Sequence, residues 1–155
     1  MEGRLEDLVR RLGGEMIDVG KPVKTVRQAV EATGLSPKQI IKSLLFISED
    51  GPILAIVDGS SRVDLAKLRK VVGGGEVRLA RPDEVKRITN YEVGSLPPIG
   101  VKARTIVDPR VLENRVVVGG GGSSDKLSKL DPRKIIEYQK AEVADIASEG
   151  LEHQG

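Results

Sequence analysis

Leu44-Leu45-Phe46-Ile47-Ser48-Glu49-Asp50-Gly51-Pro52-Ile53-Leu54-Ala55-Ile56-Val57 consists of two short apolar runs around a turn-forming segment, Ser48 to Pro52. Continuous apolarity, rather than alternation, is what a strand covered on both faces requires, and Asp, Gly and Pro between the runs supply the reversal. The segment therefore predicts a buried hairpin. Its two strands run antiparallel, so a sheet built on them is not purely parallel.

Upstream, Ser36-Pro37 with Gln39 has the residues of a helix start. Serine caps, proline loses nothing at the first helical position, and glutamine can reach back to the cap. A short helix is expected to run from there into Lys42. Before it, Thr25 is a candidate cap for a helix with Val26, Ala29 and Val30 on one face and Gly34 at its end. Leu5, Leu8 and Leu12, closed by Gly13-Gly14, predict a first helix. Downstream, Ser61 with Asp64 resembles another capping box ahead of Leu65, Leu68 and Val72. Val77 and Leu79 alternate as a strand, Pro82 opens a helix, Thr105 to Val107 and Arg115 to Val118 read as strands, and Asp131-Pro132 starts the last helix. Helices interleaved with strands, of which one pair is a hairpin, give an α/β fold. We expect a single domain over residues 1–155, a central mixed β-sheet with helices packed around it.

At 155 residues the chain is long enough for one real core, burying roughly 70% of its unfolded surface. Apolar residues make up 39% and charged residues 31%, and no apolar run approaches the roughly 20 residues needed to span a bilayer. Met1 to Arg11 lacks the apolar core of a secretory signal, so a cytoplasmic location and no membrane partner are expected. There is no cysteine, and the one histidine, His153, sits in the last three residues. Thiol catalysis is therefore excluded and histidine catalysis is not expected, and carboxylates are too scattered for a metal cluster, so no cofactor is expected. Chemistry must come from Lys, Asp, Glu, Ser, backbone amides or the substrate itself. With 25 basic against 23 acidic residues, net charge +2, the chain is too balanced to coat nucleic acid, so any such contact must be local. Phe46, Tyr91 and Tyr138 are the only aromatics, too few for a base-stacking platform.

Three features could carry chemistry. Lys42 interrupts the apolar stretch from Ile40 to Ile47; it either snorkels to water from the strand's start or projects into a cleft as a fixed positive charge. Gly94-Ser95-Leu96-Pro97-Pro98-Ile99-Gly100, inside the long loop from Tyr91 to Lys102, is either a stiff connector or a segment that aims backbone groups at a ligand. Gly119 to Gly122, followed by Ser123, Ser124 and Asp125, is either a flexible hairpin tip or a place where another molecule approaches the backbone. It is no P-loop, because Asp125 stands between the serines and Lys126. Ser60 and Ser61 have no nucleophile elbow and no histidine to activate them. Ser61 reads as a helix cap, and Asp58 and Asp108 read as turn residues that end strands.

From about Val23 to Ile146 the chain resembles the YbaK/prolyl-tRNA synthetase-associated editing domains. The matching stretches are Thr33 to Leu44, Arg62 to Leu65, Tyr91 to Gly94 with Pro98 to Gly100, and Val118 to Gly121. Asn90 stands where many relatives have Gly, and the segment around Thr25 and Val26 lacks an aromatic that some carry. The resemblance implies a free-standing deacylase that hydrolyses, in trans, the ester joining a mischarged amino acid to tRNA. It implies Lys42, Gly94 and Pro98 as catalytic residues, and Asp58, Ser60, Ser95, Gly100, Gly119, Gly120 and Asp125 as contacts to substrate. It also implies positioning and the substrate's own hydroxyl in place of side-chain acid–base chemistry, which an activated ester tolerates. Implied partners are the aminoacylated 3′ end of tRNA and an aminoacyl-tRNA synthetase. The rival reading is a catalytically silent module that binds a nucleotide or the tRNA 3′ end for regulation; an unrelated carboxylate metallohydrolase would need a cluster that the sequence lacks.

Overall fold

The computed structural model describes residues 2–150; His153 lies outside them. In chain order the elements are helix α1 (Glu2–Arg11), strand β1 (Glu15–Asp18), helix α2 (Val26–Thr33), a 3-10 turn at Pro37–Gln39, strands β2 (Ile41–Ser48), β3 (Gly51–Asp58) and β4 (Ser61–Val63), helix α3 (Leu65–Val71), strand β5 (Val77–Leu79), helix α4 (Pro82–Thr89), strand β6 (Arg104–Val107), a second 3-10 turn at Pro109–Glu113, strands β7 (Val117–Gly120) and β8 (Lys126–Leu130), helix α5 (Pro132–Gln139), and the short strands β9 (Glu142–Val143) and β10 (Ala147–Glu149).

The central sheet has the order β5-β2-β3-β6-β9. It is mixed, as expected: β2 pairs antiparallel with β3 and β5, while β3–β6 and β6–β9 are parallel. The hairpin register places Ser48 opposite Gly51, leaving Glu49-Asp50 as the turn. The Ser48 hydroxyl donates to the Gly51 carbonyl at 2.8 Å and accepts from the Asp50 N–H at 3.2 Å, and Gly51 takes φ +121°.

Residues opposite one another in this register share a face. Phe46 with Ile53 and Leu44 with Ala55 cover one side, packing with Leu68, Val77, Ile106 and Ile146. Leu45 with Leu54, and Ile41 and Ile56 beside them, cover the other, packing with Leu5, Leu8 and Val9 of α1 and with Ile99 and Ile135. Truncating a fully buried leucine such as Leu54 to Ala would cost about 2–5 kcal/mol. A second sheet, β1-β8-β7, packs under α2 through Val26, Ala29, Val118 and Leu127. β4 pairs with β10 in a third, two-stranded sheet. No helix among the described residues is long and apolar enough to cross a membrane.

Several local expectations need correction. Pro37–Gln39 is one 3-10 turn and the strand has begun by Ile41, so Lys42 lies on β2 and no helix runs into it. Ser61 is not a helix cap: its hydroxyl donates to Asp58 at 2.6 Å, and Asp64 caps α3 by accepting from the Lys67 N–H at 3.1 Å. β7 is displaced toward the glycines, Val117–Gly120 instead of Arg115 to Val118. Thr25, Pro82 and Asp131-Pro132 start helices as expected.

Candidate active site

β5 pairs with β2 only at Phe46–Ser48, so among the described residues the same edge of β2 has no strand partner over Lys42–Leu44. Beside this edge opens a cleft of about 270 Å³, walled by α2, the segment before it, Val93 to Leu96, and Gly119-Gly120 of β7. The edge brings polar backbone into a largely apolar space. The Leu45 carbonyl accepts from the Ala80 N–H at 2.9 Å on this side, and the two-residue repeat of an antiparallel strand turns the N–H and C=O of Ser43 the same way. Ser43 lines the cleft, and its hydroxyl is buried with no hydrogen-bond partner among the described residues.

Lys42 stands in the cleft wall, opposite Val57 in the hairpin register. It is half-buried and makes no hydrogen bond or ion pair with the described residues. Burial pushes its pKa below the usual 10.5, and the negative charge of Asp58 opposes that shift. The result is a desolvated ammonium whose donors are uncommitted, held by a sheet and not by a loop. Asp58 itself is buried behind the site, accepting from the Ser60 N–H at 3.1 Å and the Ser61 hydroxyl.

The Gly94 loop and the glycine run form one backbone seam. Gly94 has φ +89°, a conformation that favours glycine, and a β-carbon there would sit a tight 3.1 Å from Lys24 Cβ. The Ser95 carbonyl accepts from the Gly122 N–H at 2.9 Å, and a β-carbon on Gly120 would overlap the Leu96 carbonyl. The run is thus no free hairpin tip, and with Leu96, Pro97, Pro98 and Ile99 all buried the loop is anchored along its length.

Of the residues that the sequence pointed to, Lys42, Gly94, Gly119 and Gly120 come together on the cleft. Pro98 packs behind Gly119, its Cδ 3.7 Å from where a β-carbon would stand. Ser95 is buried in the seam. Gly100 lies away from the cleft, its N–H donating to Gln139 Oε1 at 2.8 Å. Ser60 is exposed and its carbonyl accepts from Gly150 at 3.1 Å. Asp125 accepts from the Ser123 hydroxyl at 3.2 Å within its own turn, and its carbonyl accepts from the Val19 N–H at 2.9 Å. Sequence reasoning passed over Ser43 and Lys24. The first reads as one polar residue in a strand, and the second becomes a neighbour of Gly94 only through the fold.

The cleft has room for a small acyl group, with the Lys42 cation and the Ser43 N–H available to its carbonyl. Residues 20–138 match the model of the aminoacyl-tRNA editing domain. The chain belongs to that family. This editing domain is 34% identical over 104 residues to the proline-tRNA ligase of Pseudothermotoga lettingae and 28% identical over 126 residues to that of Streptococcus mutans. Those alignments cover 66% and 79% of the chain but only 18% and 20% of the ligases, so it spans about a fifth of these relatives. Among solved structures, a proposed trans-editing enzyme for prolyl tRNA synthetase superposes with a TM-score of 0.86 at 30% identity, covering 95% of this chain and 96% of that one.

Proposed function

We propose that this editing domain hydrolyses, in trans, the ester that joins a wrongly attached amino acid to the terminal ribose of tRNA. The observation that carries the reading is the uncommitted ammonium of Lys42 in the wall of a small, largely apolar cleft. Membership in the editing family and the likeness to a proposed trans-editing enzyme over nearly the whole of both chains support it.

In the reaction a water oxygen bonds to the ester carbonyl carbon, the bond from that carbon to the ribose oxygen breaks, and the proton released by water ends on the ribose oxygen. Negative charge gathers on the carbonyl oxygen in between. Lys42 supplies a fixed positive charge for it, and a strand-edge N–H such as that of Ser43 supplies a preorganised donor. The apolar walls hold the acyl group, and a ribose hydroxyl of the substrate orients the water. No group among the described residues is required to act as a strong base, because the ester is already activated and the gain comes from placement.

Incubation with a panel of mischarged tRNAs, following release of free amino acid, tests this. Turnover of at least one mischarged species, undiminished by excess chelator on a substrate that folds without magnesium, is the expected result. Tight binding of tRNA with no turnover on any of them would instead establish a silent binding module.

A further inference from the structure

Behind the Gly94 loop lies a second, larger cavity of about 660 Å³, between α1, the end of α4 and the turn that follows β7. Its walls carry Arg4, Lys86 and Lys102, with Lys126 beside them, and among the described lining residues one carboxylate, Glu6. That imbalance is local, since the chain as a whole has 25 basic and 23 acidic residues. Glu6 is also occupied, accepting from Arg10 at 2.7 Å. Arg4 and Lys102 have no ion-pair partner among the described residues, and Lys86 reaches only the Asn90 carbonyl at 3.1 Å and Glu92 at 3.8 Å. Half-buried Tyr91 lines the same groove, one of only three aromatics in the chain.

The two cavities share one wall. Gly119 and Gly120 face the cleft, while Gly121 and Gly122 face the groove. Two residues of chain span at most about 7 Å, and stacked nucleotides advance about 3.4 Å each along a strand. The near edge of the groove is thus separated from the cleft wall by a distance on the order of two nucleotide steps.

We propose that this groove binds the phosphodiester backbone of the nucleotides immediately 5′ of the ester-bearing residue, with Lys86 and Lys102 as phosphate contacts and Tyr91 offering its ring to an unstacked base. The assignment rests on the deacylase reading for its direction. It adds a polyanion site to a chain whose balanced overall charge offers no reason to look for one.

The test uses the full chain and an uncharged acceptor-stem RNA hairpin with its single-stranded 3′ end, titrated by fluorescence anisotropy across a salt series. K86A/K102A should weaken binding on the order of tenfold and flatten the slope of log affinity against log salt by about 1.4, since each single-strand phosphate neutralised by a lysine adds about 0.7 to that slope. Its melting temperature should match wild type, and K102A alone should give about half the change in slope. On mischarged tRNA the double variant should raise KM with kcat retained, and hydrolysis of an aminoacyl-adenosine, which has no 5′ phosphates, should be unaffected. Unchanged affinity and slope in the double variant, or no hairpin binding by wild type, would overturn the groove while leaving the deacylase reading standing if wild type still turns over. Lysine-dependent hairpin binding without turnover of any mischarged tRNA would overturn the deacylase reading and leave the phosphate site in place.

Discussion

On the proposed deacylase function, replacing Lys42 with Ala removes the positive charge that the cleft offers to the ester carbonyl. A unit charge about 4 Å from a developing oxyanion, at an effective dielectric of about 20, contributes about 4 kcal/mol, which is about three decades in rate. Lys42 is half-buried, so part of this is screened, and a decrease of about 10² to 10³ in kcat is expected, the range seen when one preorganised oxyanion donor is removed. The fold should not suffer, because the substitution relieves a desolvated charge that has no partner among the described residues. Arg should restore only part of the rate, its planar fork being unable to occupy the same point. The pH dependence carries a sign. Burial lowers the Lys42 pKa below 10.5, so its contribution is complete at pH values below that lowered pKa and disappears as pH rises through it. The ratio of wild-type to K42A rates, measured as release of labelled amino acid from mischarged tRNA in single turnovers, should therefore fall at alkaline pH before an ordinary lysine would titrate. Near-wild-type turnover by K42A at an unchanged melting temperature, or a ratio independent of pH, would refute the electrostatic role.

Glu84 accepts from both terminal nitrogens of Arg78, at 2.7 and 2.8 Å, and from the Arg81 N–H at 2.8 Å, and these bonds hold its carboxyl down at about 2 against an ordinary 4.5. Because the folded value is the lower one, their contribution is complete above the ordinary value and is lost as pH falls through about 2; E84Q should melt below wild type at neutral pH, with the gap closing through that acid window. G120A drives a β-carbon onto the Leu96 carbonyl, and should cost about 2–3 kcal/mol, or about 3 °C of melting temperature per kcal/mol, with activity falling as the Gly94 loop is displaced. S43A deletes a buried hydroxyl that has no partner among the described residues; calorimetry should find it as stable as wild type or more so, since an unsatisfied polar group is removed.

The central hairpin was legible because two uninterrupted apolar runs around Asp50-Gly51-Pro52 have few other ways to be buried. The starts of α2, α4 and α5 were legible because Thr25, Pro82 and Asp131-Pro132 act within one turn of chain. Short edge strands were not. β1, β9 and β10 have four, two and three residues, and what makes them strands is the partner each finds far along the chain. Ser61 misled for a similar reason. Its spacing to Asp64 fits a cap, but the hydroxyl is drawn to the buried Asp58 carboxylate, and a hydrogen bond to charge outweighs one to a backbone amide. At the site, Lys42 stood out as a charge in an apolar run, whereas the groove of Lys86 and Lys102 was invisible because its cations are spread from α1 to β8 and gather only on folding.

A strand edge with free N–H and C=O groups is a template on which another chain can grow, and proteins commonly guard such edges with lysine. The stretch Lys42–Leu44, which has no strand partner on this edge among the described residues, is such a template, and a foreign strand docking there would enclose the Lys42 ammonium still further, which costs free energy unless it brings a counter-charge. Protein purified with that lysine removed would then be more prone to self-association at high concentration, and any change in turnover should be read only from samples shown to sediment as wild type does.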